Sequence, residues 1–276
     1  MLYIELSKKP LEEFNRYCGV QKDTFIKMVK IVTKAKRGSA GVRAKLSIPD
    51  QILLTLDYHR EYRTLFHIGG DFGISESAVC RTVKRIENML IESGEFSLPS
   101  QRKLQQNNTE IKTVAIDVVE VEIERPKKTQ KGYYNWKQKY HTLKAQVVIN
   151  IDTKEIICTD FDKGKKHDLK LFKKSRMYIS KDIELIADKG YQRIKKLHKN
   201  SKTPDKKPRG KDLTKEQKQS NRTLARERIA IEHTFRKLKI FRILSGRYRN
   251  RRQHFGLRFN LITGTYNYEL KLKLSS

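Results

Sequence analysis

The chain is poor in cysteine, short of acid and free of long apolar runs. Its three cysteines, Cys18, Cys80 and Cys158, lie far apart and form no CxxC pair. That argues against a zinc site and against a disulfide framework, and it fits a reducing compartment. They read as ordinary thiols. No apolar run is long enough to span a bilayer. The opening residues, MLYIELSKKPLEEF, carry acids and an early proline, so no secretory signal is expected. No internal repeat is visible. Acid is scarce against base: 61 Lys and Arg face 31 Asp and Glu, a net charge of +30. Solubility does not require such a field. It attracts polyanions, with nucleic acid the first candidate and an anionic membrane surface the rival. The membrane reading needs a basic amphipathic helix with a free apolar face, and the apolar faces here are used up in cores.

At 276 residues and 37% hydrophobic content the chain suits two modest domains. Residues 10–35 read as helical with a break near Gly19, and Phe25, Met28, Val29 and Val32 form one face. A loop follows at 36–41. Ser47 can cap a helix with Pro49 in its first turn and Ile52, Leu53, Leu56 and Tyr58 on its apolar side. A second helix covers about 64–72. Ser75 can cap a third that runs to about Glu92, with Val79, Val83, Ile86 and Leu90 on one face. With Gly69 where two helices approach and Gly73 in the turn, this is a helix-turn-helix layout. Its third helix offers Ser75, Glu76, Ser77, Arg81 and Lys84 outward, toward base edges or phosphates. Three amphipathic helices that simply pack together are the plain alternative.

Residues 93–112 are polar and read as a linker, with a boundary near 98. One domain is therefore expected over 1–97 and another over 98–276. The second half is rich in β-branched residues. Strands are expected at 113–123, 141–153, 155–162 and 183–188, with a short helix at 167–175. A long helix over about 214–241 carries Leu224, Ile231, Phe235 and Leu238 as its buried stripe. A last helix over about 254–270 carries Phe255, Phe259, Ile262 and Tyr266. Strands with later helices give a mixed α/β layer.

Three acids stand at the edge of apolar structure. Asp117 lies in mid-strand, Asp188 ends the IELIAD strand, and Glu232 sits beside Ile231 on the long helix. A buried, unpaired carboxylate is costly, and one cation cluster would satisfy all three. Mg²⁺ prefers carboxylate oxygens, and phosphodiester cleavage can use two such ions. Plainer readings compete: Asp188 caps the Lys189–Gly190 turn, and Glu232 pairs with Arg228 one helical turn away. Strand alternation puts Glu120 on the face opposite Asp117 and so outside the site. In the HD pair at 167–168, Asp168 reads mainly as a helix start.

The stretches AIDVVEVEIERPKKTQKGYYNWKQKYHTLKAQVV, HDLKLF, IADKGYQ and RERIAIEHTFRKLKIFRIL resemble the DDE transposases of bacterial insertion sequences, of the IS-five type. SIPDQILLTLDYHREYRTLFHIGGDFGISESAVCRTV resembles the helix-turn-helix front end of the same family. The resemblance covers most of the chain. It implies a ribonuclease-H-like catalytic core whose acid triad is Asp117, Asp188 and Glu232, holding two Mg²⁺ ions, with Mn²⁺ able to substitute. It also implies action on double-stranded DNA, at terminal inverted repeats and at a target, by a homodimer or higher synaptic complex in a bacterial cytoplasm. The family's first motif more often reads Asp-x-Thr-Glu. Here Val119 replaces a threonine that is not a metal ligand.

Base and aromatic residues interleave in two places. One spans 236–258, with Arg236, Arg249, Arg251, Arg252 and Arg258 among Phe241, Tyr248 and Phe255; the other spans 125–139, with Tyr133, Tyr134 and Trp136. Cations there can meet phosphates and rings can stack on unpaired bases. Arg228, Lys189 and Tyr191 are further candidates for phosphate contact near the acids.

Overall fold

The computed structural model describes residues 1–37, 44–105, 111–208, 210 and 212–275. The expected loop at 36–41 and linker at 93–112 fall partly outside these residues, at 38–41 and 106–110. The first elements are α1 (Tyr3–Leu6), α2 (Leu11–Cys18), α3 (Lys22–Lys36), α4 (Ile48–Arg60), α5 (Leu65–Phe72) and α6 (Glu76–Glu92). Then come β1 (Thr113–Glu122), α7 (Gln130–Tyr133), β2 (Tyr134–Asn135), β3 (Tyr140–Asn150), β4 (Ile156–Lys163), α8 (Asp168–Ser175), β5 (Glu184–Ala187) and β6 (Ser201–Lys202). The chain closes with α9 (Lys215–Lys239), α10 (Arg242–Ser245) and α11 (Phe255–Ser275). It divides into two compact units. One is Met1–Ser97 with Leu238–Arg247 and Leu257–Ser276; the other is Leu98–Lys237 with Tyr248–Gly256.

In the first unit the Ser47 and Ser75 caps fall where the sequence puts them, and Thr64 adds a third. Ser47 accepts the Asp50 N–H ahead of α4, Thr64 accepts the His67 N–H ahead of α5, and Ser75 accepts the Ala78 N–H ahead of α6. Gly73 takes φ +64° at the end of α5, a left-handed conformation that suits glycine. A Cβ at Gly69 would come within 2.6 Å of the Ile74 carbonyl oxygen, so only glycine fits where α5 meets the turn. Helix α4 is buried on every side from Gln51 to His59, not along one stripe, because α2, α3, α5 and α6 all pack around it.

The last stretch of chain, 257–276, was expected with the second domain and packs in the first unit instead. Arg258 explains why. It reads as one more surface cation, yet it is 3% exposed, and its Nε donates to Glu87 of α6 at 2.6 Å. His59 Nε2 meets the same carboxylate oxygen at 2.7 Å. Burial alone would push the Glu87 carboxyl up, but hydrogen bonds and charge from His59 and Arg258 hold it below the ordinary range.

Asp57 behaves oppositely. Burial raises its carboxyl to about 6, with Arg63 only partly offsetting this and Asp71 and Glu61 adding to it. The folded chain therefore holds a proton that the unfolded chain releases, so stability should grow as pH falls from about 7 to about 5. Asp57→Asn should abolish that rise and stabilise the fold at neutral pH by roughly 1–3 kcal/mol. Thermal melts of both proteins across that pH range would check it; a wild-type Tm that is flat or falls on acidification contradicts it.

The second unit is built on one mixed sheet. β3 pairs antiparallel with β1 on one side and with β4 on the other, while β5 runs parallel to β1 and β6 parallel to β5. Short β2 pairs with the start of β3. One face of the sheet is closed by α8 and the segments after β5. Val114, Ile116, Val148, Leu185 and Ala187 join Phe172, Tyr191 and Ile194 in its core. This is the ribonuclease-H-like mixed sheet expected from the resemblance. No helix among the described residues is long and apolar enough to cross a membrane. All three cysteines are free thiols, and burial pushes Cys18 and Cys158 up to about 12.

Candidate active site

Parallel pairing of β1 with β5 sets the first two acids side by side. Ile116 lies opposite Ala187, and one residue further come Asp117, still within β1, and Asp188, just past the end of β5. Each is half-buried. Asp117 Oδ1 accepts the Val118 N–H at 2.8 Å, and its Oδ2 accepts from Arg228 Nη2 at 3.0 Å. Its carboxyl lies above the ordinary carboxylate range, first through burial and further through the negative charge of Asp188; the Val118 N–H and Arg228 pull the other way. Asp188 Oδ1 accepts the Gly190 N–H at 2.8 Å, so it does cap its turn while standing beside Asp117. The two readings of that residue are compatible.

Arg228 reaches Asp117 because α9 lays its buried side, Leu224 and Ile231, along the unit, and Arg228 falls between them at helical spacing. Its Nε is buried with no hydrogen-bond partner. It is therefore an ion-pair partner of the acid pair in this structure, where the sequence offered it as a phosphate contact. Glu232, one turn further along α9, is exposed. Among the described residues no three His, Cys, Asp or Glu side chains gather as a metal-holding group. The acid pair itself suits a hard divalent cation. It supplies carboxylate oxygens, and burial and the charge of Asp188 both disfavour the charged form of Asp117, which a cation would offset.

A third carboxylate that the sequence ranked low comes close to the pair. Asp168 begins α8 as expected, but its Oδ1 accepts from the buried Lys144 ammonium at 2.7 Å. Lys144 also meets Glu120, at 3.4 Å. A Cβ on Gly190 would collide with the carboxylates of both Asp168 and Asp188. Tyr191, buried beneath them, has its phenol held well above its ordinary range by burial first and then by Asp168, Asp117 and Asp188. The sequence signal for Asp168 was the HD pair; what it lacked was Lys144, which arrives from β3. Gly190→Ala should displace Asp168 and Asp188 and cost about 10²-fold in any reaction this pair supports. Turnover of the variant measured beside that of the wild type checks this, and an unchanged rate would show the crowding to be harmless.

Residues 116–262 match the family model described as DDE superfamily endonuclease, a span that contains Asp117, Asp188 and Glu232. Residues 44–96 match the helix-turn-helix of DDE superfamily endonuclease. The chain belongs to the DDE superfamily endonucleases. A relative from Microchaete diplosiphon, named "Probable transposase for insertion sequence element IS702", is 54% identical over 263 residues, covering 95% of each chain. The resemblance drawn from the sequence, to DDE transposases with a helix-turn-helix front end, is borne out.

In this DDE endonuclease the outward residues of α6 lie as the sequence places them. Ser75, Glu76, Ser77, Arg81 and Lys84 are all exposed, while Val79, Val83, Ile86 and Leu90 are buried. Arg236, Arg249 and Arg251 are exposed and Arg252 is half-buried, its guanidinium 4.7 Å over the Tyr133 ring. The expected aromatic stackers are corrected. Phe241, Tyr248 and Phe255 are core residues, and so is Tyr191, whose hydroxyl donates to Gln146 Oε1 at 3.3 Å. Apolar rings interleaved with cations fold inward, since exposing them costs more than burying them beside a charge. Trp136 does remain 76% exposed, with Tyr134 edge-on against it.

Proposed function

We propose that this endonuclease is the transposase of an insertion sequence, cutting DNA at the element's ends and joining the freed 3′-OH to target DNA. The observation that supports it best is the Asp117–Asp188 pair on adjacent parallel strands, faced by the helix that carries Arg228 and Glu232. Asp117 and Asp188 would hold two divalent ions, Mg²⁺ or Mn²⁺, with Glu232 as the third ligand. When bound, such ions supply Lewis-acid stabilisation to the attacking and leaving oxygens. The strands fix the positions of the first two carboxylates, and the Gly190 N–H orients Asp188. Arg228 balances Asp117, and it would contact a DNA phosphate near the cut. In cleavage a water oxygen bonds to phosphorus as the P–O3′ bond breaks, and the 3′ oxygen leaves with a proton. In joining, that 3′-OH attacks a target phosphodiester in line, one P–O bond replacing another. No covalent protein intermediate and no ATP are needed.

We assign residues 1–97 to recognition of the terminal inverted repeats through Ser75, Glu76, Ser77, Arg81 and Lys84, and residues 98–237 to catalysis. Arg236, Arg249, Arg251 and Arg252 would contact duplex phosphates. Two ends must be held together, so the working form is a homodimer or larger complex at the bacterial nucleoid. A labelled duplex bearing the element's end, incubated with the protein and Mg²⁺ or EDTA, tests the reading. Metal-dependent nicks and joined products support it. Nicks without joining would leave an endonuclease, and binding without cutting would leave a DNA-binding regulator.

A further inference from the structure

The second unit carries a cleft that the site above does not use. It has a volume of about 610 Å³ and lies between the end of α8, the segment that follows it and the chain just before β6. Lys173, Arg176, Lys181, Lys196 and Lys199 line it, and no acidic side chain does. Some cations elsewhere in this unit are held by carboxylates: Lys166 and Lys174 by Asp162, Lys202 by Glu184, Lys103 by Glu155. None of the five cleft cations makes an ion pair among the described residues. Five like charges around one concavity repel one another and are held there by no internal partner. A concave cationic wall of this kind focuses potential on a polyanion. Tyr178, 55% exposed, stands at the same cleft.

The cleft's position specifies which polyanion. Helix α8 starts at Asp168, whose carboxylate borders Gly190 beside Asp188, and ends at the cleft. Eight residues of α helix span about 12 Å. That is roughly three to four base pairs of duplex.

We propose that this cleft is a second DNA-backbone site, which grips duplex phosphates roughly three to four base pairs from the phosphate being cut. The position of the cut rests on the transposase reading; the cleft's affinity for DNA does not. Arg176, Lys181 and Lys199 supply point charges and a guanidinium fork to phosphate oxygens, contacts that orient DNA without reading its sequence.

The test uses the full chain with the three substitutions Arg176→Ala, Lys181→Ala and Lys199→Ala. A control of equal charge loss carries Lys8→Ala, Lys30→Ala and Lys34→Ala on exposed positions of the first unit. Duplex binding is measured against salt concentration. The cleft variant should flatten the slope of log K against log salt by about 2–3, close to 0.9 for each phosphate lost, and the control should flatten it far less. Phosphate-ethylation interference on the wild-type protein, which needs no variant, should give a patch three to four base pairs from the nick. Equal slopes for cleft variant and control, or no interference at that distance from a mapped nick, overturns the proposal. If the wild type binds but never cuts while the cleft variant still loses slope, the backbone site stands and the transposase reading falls.

Discussion

Asp188→Asn should abolish metal-dependent DNA cleavage, by ~10³-fold or more, while the protein stays folded and bound to its duplex. The size follows from the several kcal/mol that metal-ion stabilisation contributes to such transition states, at one decade of rate for each 1.36 kcal/mol. The fold should survive because an asparagine oxygen can still accept the Gly190 N–H that Asp188 accepts now. Removing its charge also relieves the repulsion that helps to raise the Asp117 carboxyl. The variant's Tm without metal should therefore match or exceed that of the wild type. A second readout is independent of activity. Mg²⁺ or Mn²⁺ should raise the wild-type Tm, since a ligand that binds only the folded state stabilises it, and this rise should vanish in the variant. Retained cleavage would remove Asp188 from the site. A metal-induced rise that persists would show that the ion binds elsewhere.

Glu87→Ala should cost about 3–5 kcal/mol, because it leaves a buried guanidinium without its counter-charge. Arg258 and Glu87 are almost wholly buried, and His59 shares the same carboxylate. Total stability of a domain is about 5–15 kcal/mol, so the loss is a large part of it, on the order of 10 °C in Tm. The sign with pH also follows. Glu87 is held below the ordinary carboxylate range, so its contribution is present above that range and fades as pH falls through the folded value. Acid should thus weaken the first unit once pH falls below the ordinary carboxylate range, under the window in which Asp57 strengthens it. The double variant Glu87→Leu with Arg258→Met should recover much of the loss, since a well-packed apolar pair can replace a buried ion pair. Equal damage from the single and double variants would show that packing volume, not charge, is what matters there.

Much of this chain is legible before folding. Serines 47 and 75 announce their helices because capping is local chemistry. Gly69 and Gly73 mark the turn because only glycine fits one position and readily adopts the other. The strands read from β-branched runs, and Asp117 and Asp188 stand out as acids in apolar surroundings. Arg258 did not read correctly, and the Asp117 pairing of Arg228 and the Lys144 pairing of Asp168 were not visible, for a common reason. Each takes its role from a partner distant in sequence: Glu87 for Arg258, Asp117 for Arg228, Lys144 and Gly190 for Asp168. Composition gives a cation no sign of whether it will face water, a carboxylate or DNA.

The sequence by itself determined most of the elements and the family, and marked Asp117 and Asp188 as acids in apolar surroundings, because periodicity, capping and motif are carried by neighbours along the chain. Tertiary structure alone decided that α11 closes the helical unit, that Phe241, Tyr248 and Phe255 are core and not base-stacking rings, and that five cations with no carboxylate partner share one cleft. Those outcomes depend on which charges and apolar faces meet through space, and pairing at long range is set by the sheet register and helix packing that only the folded chain possesses.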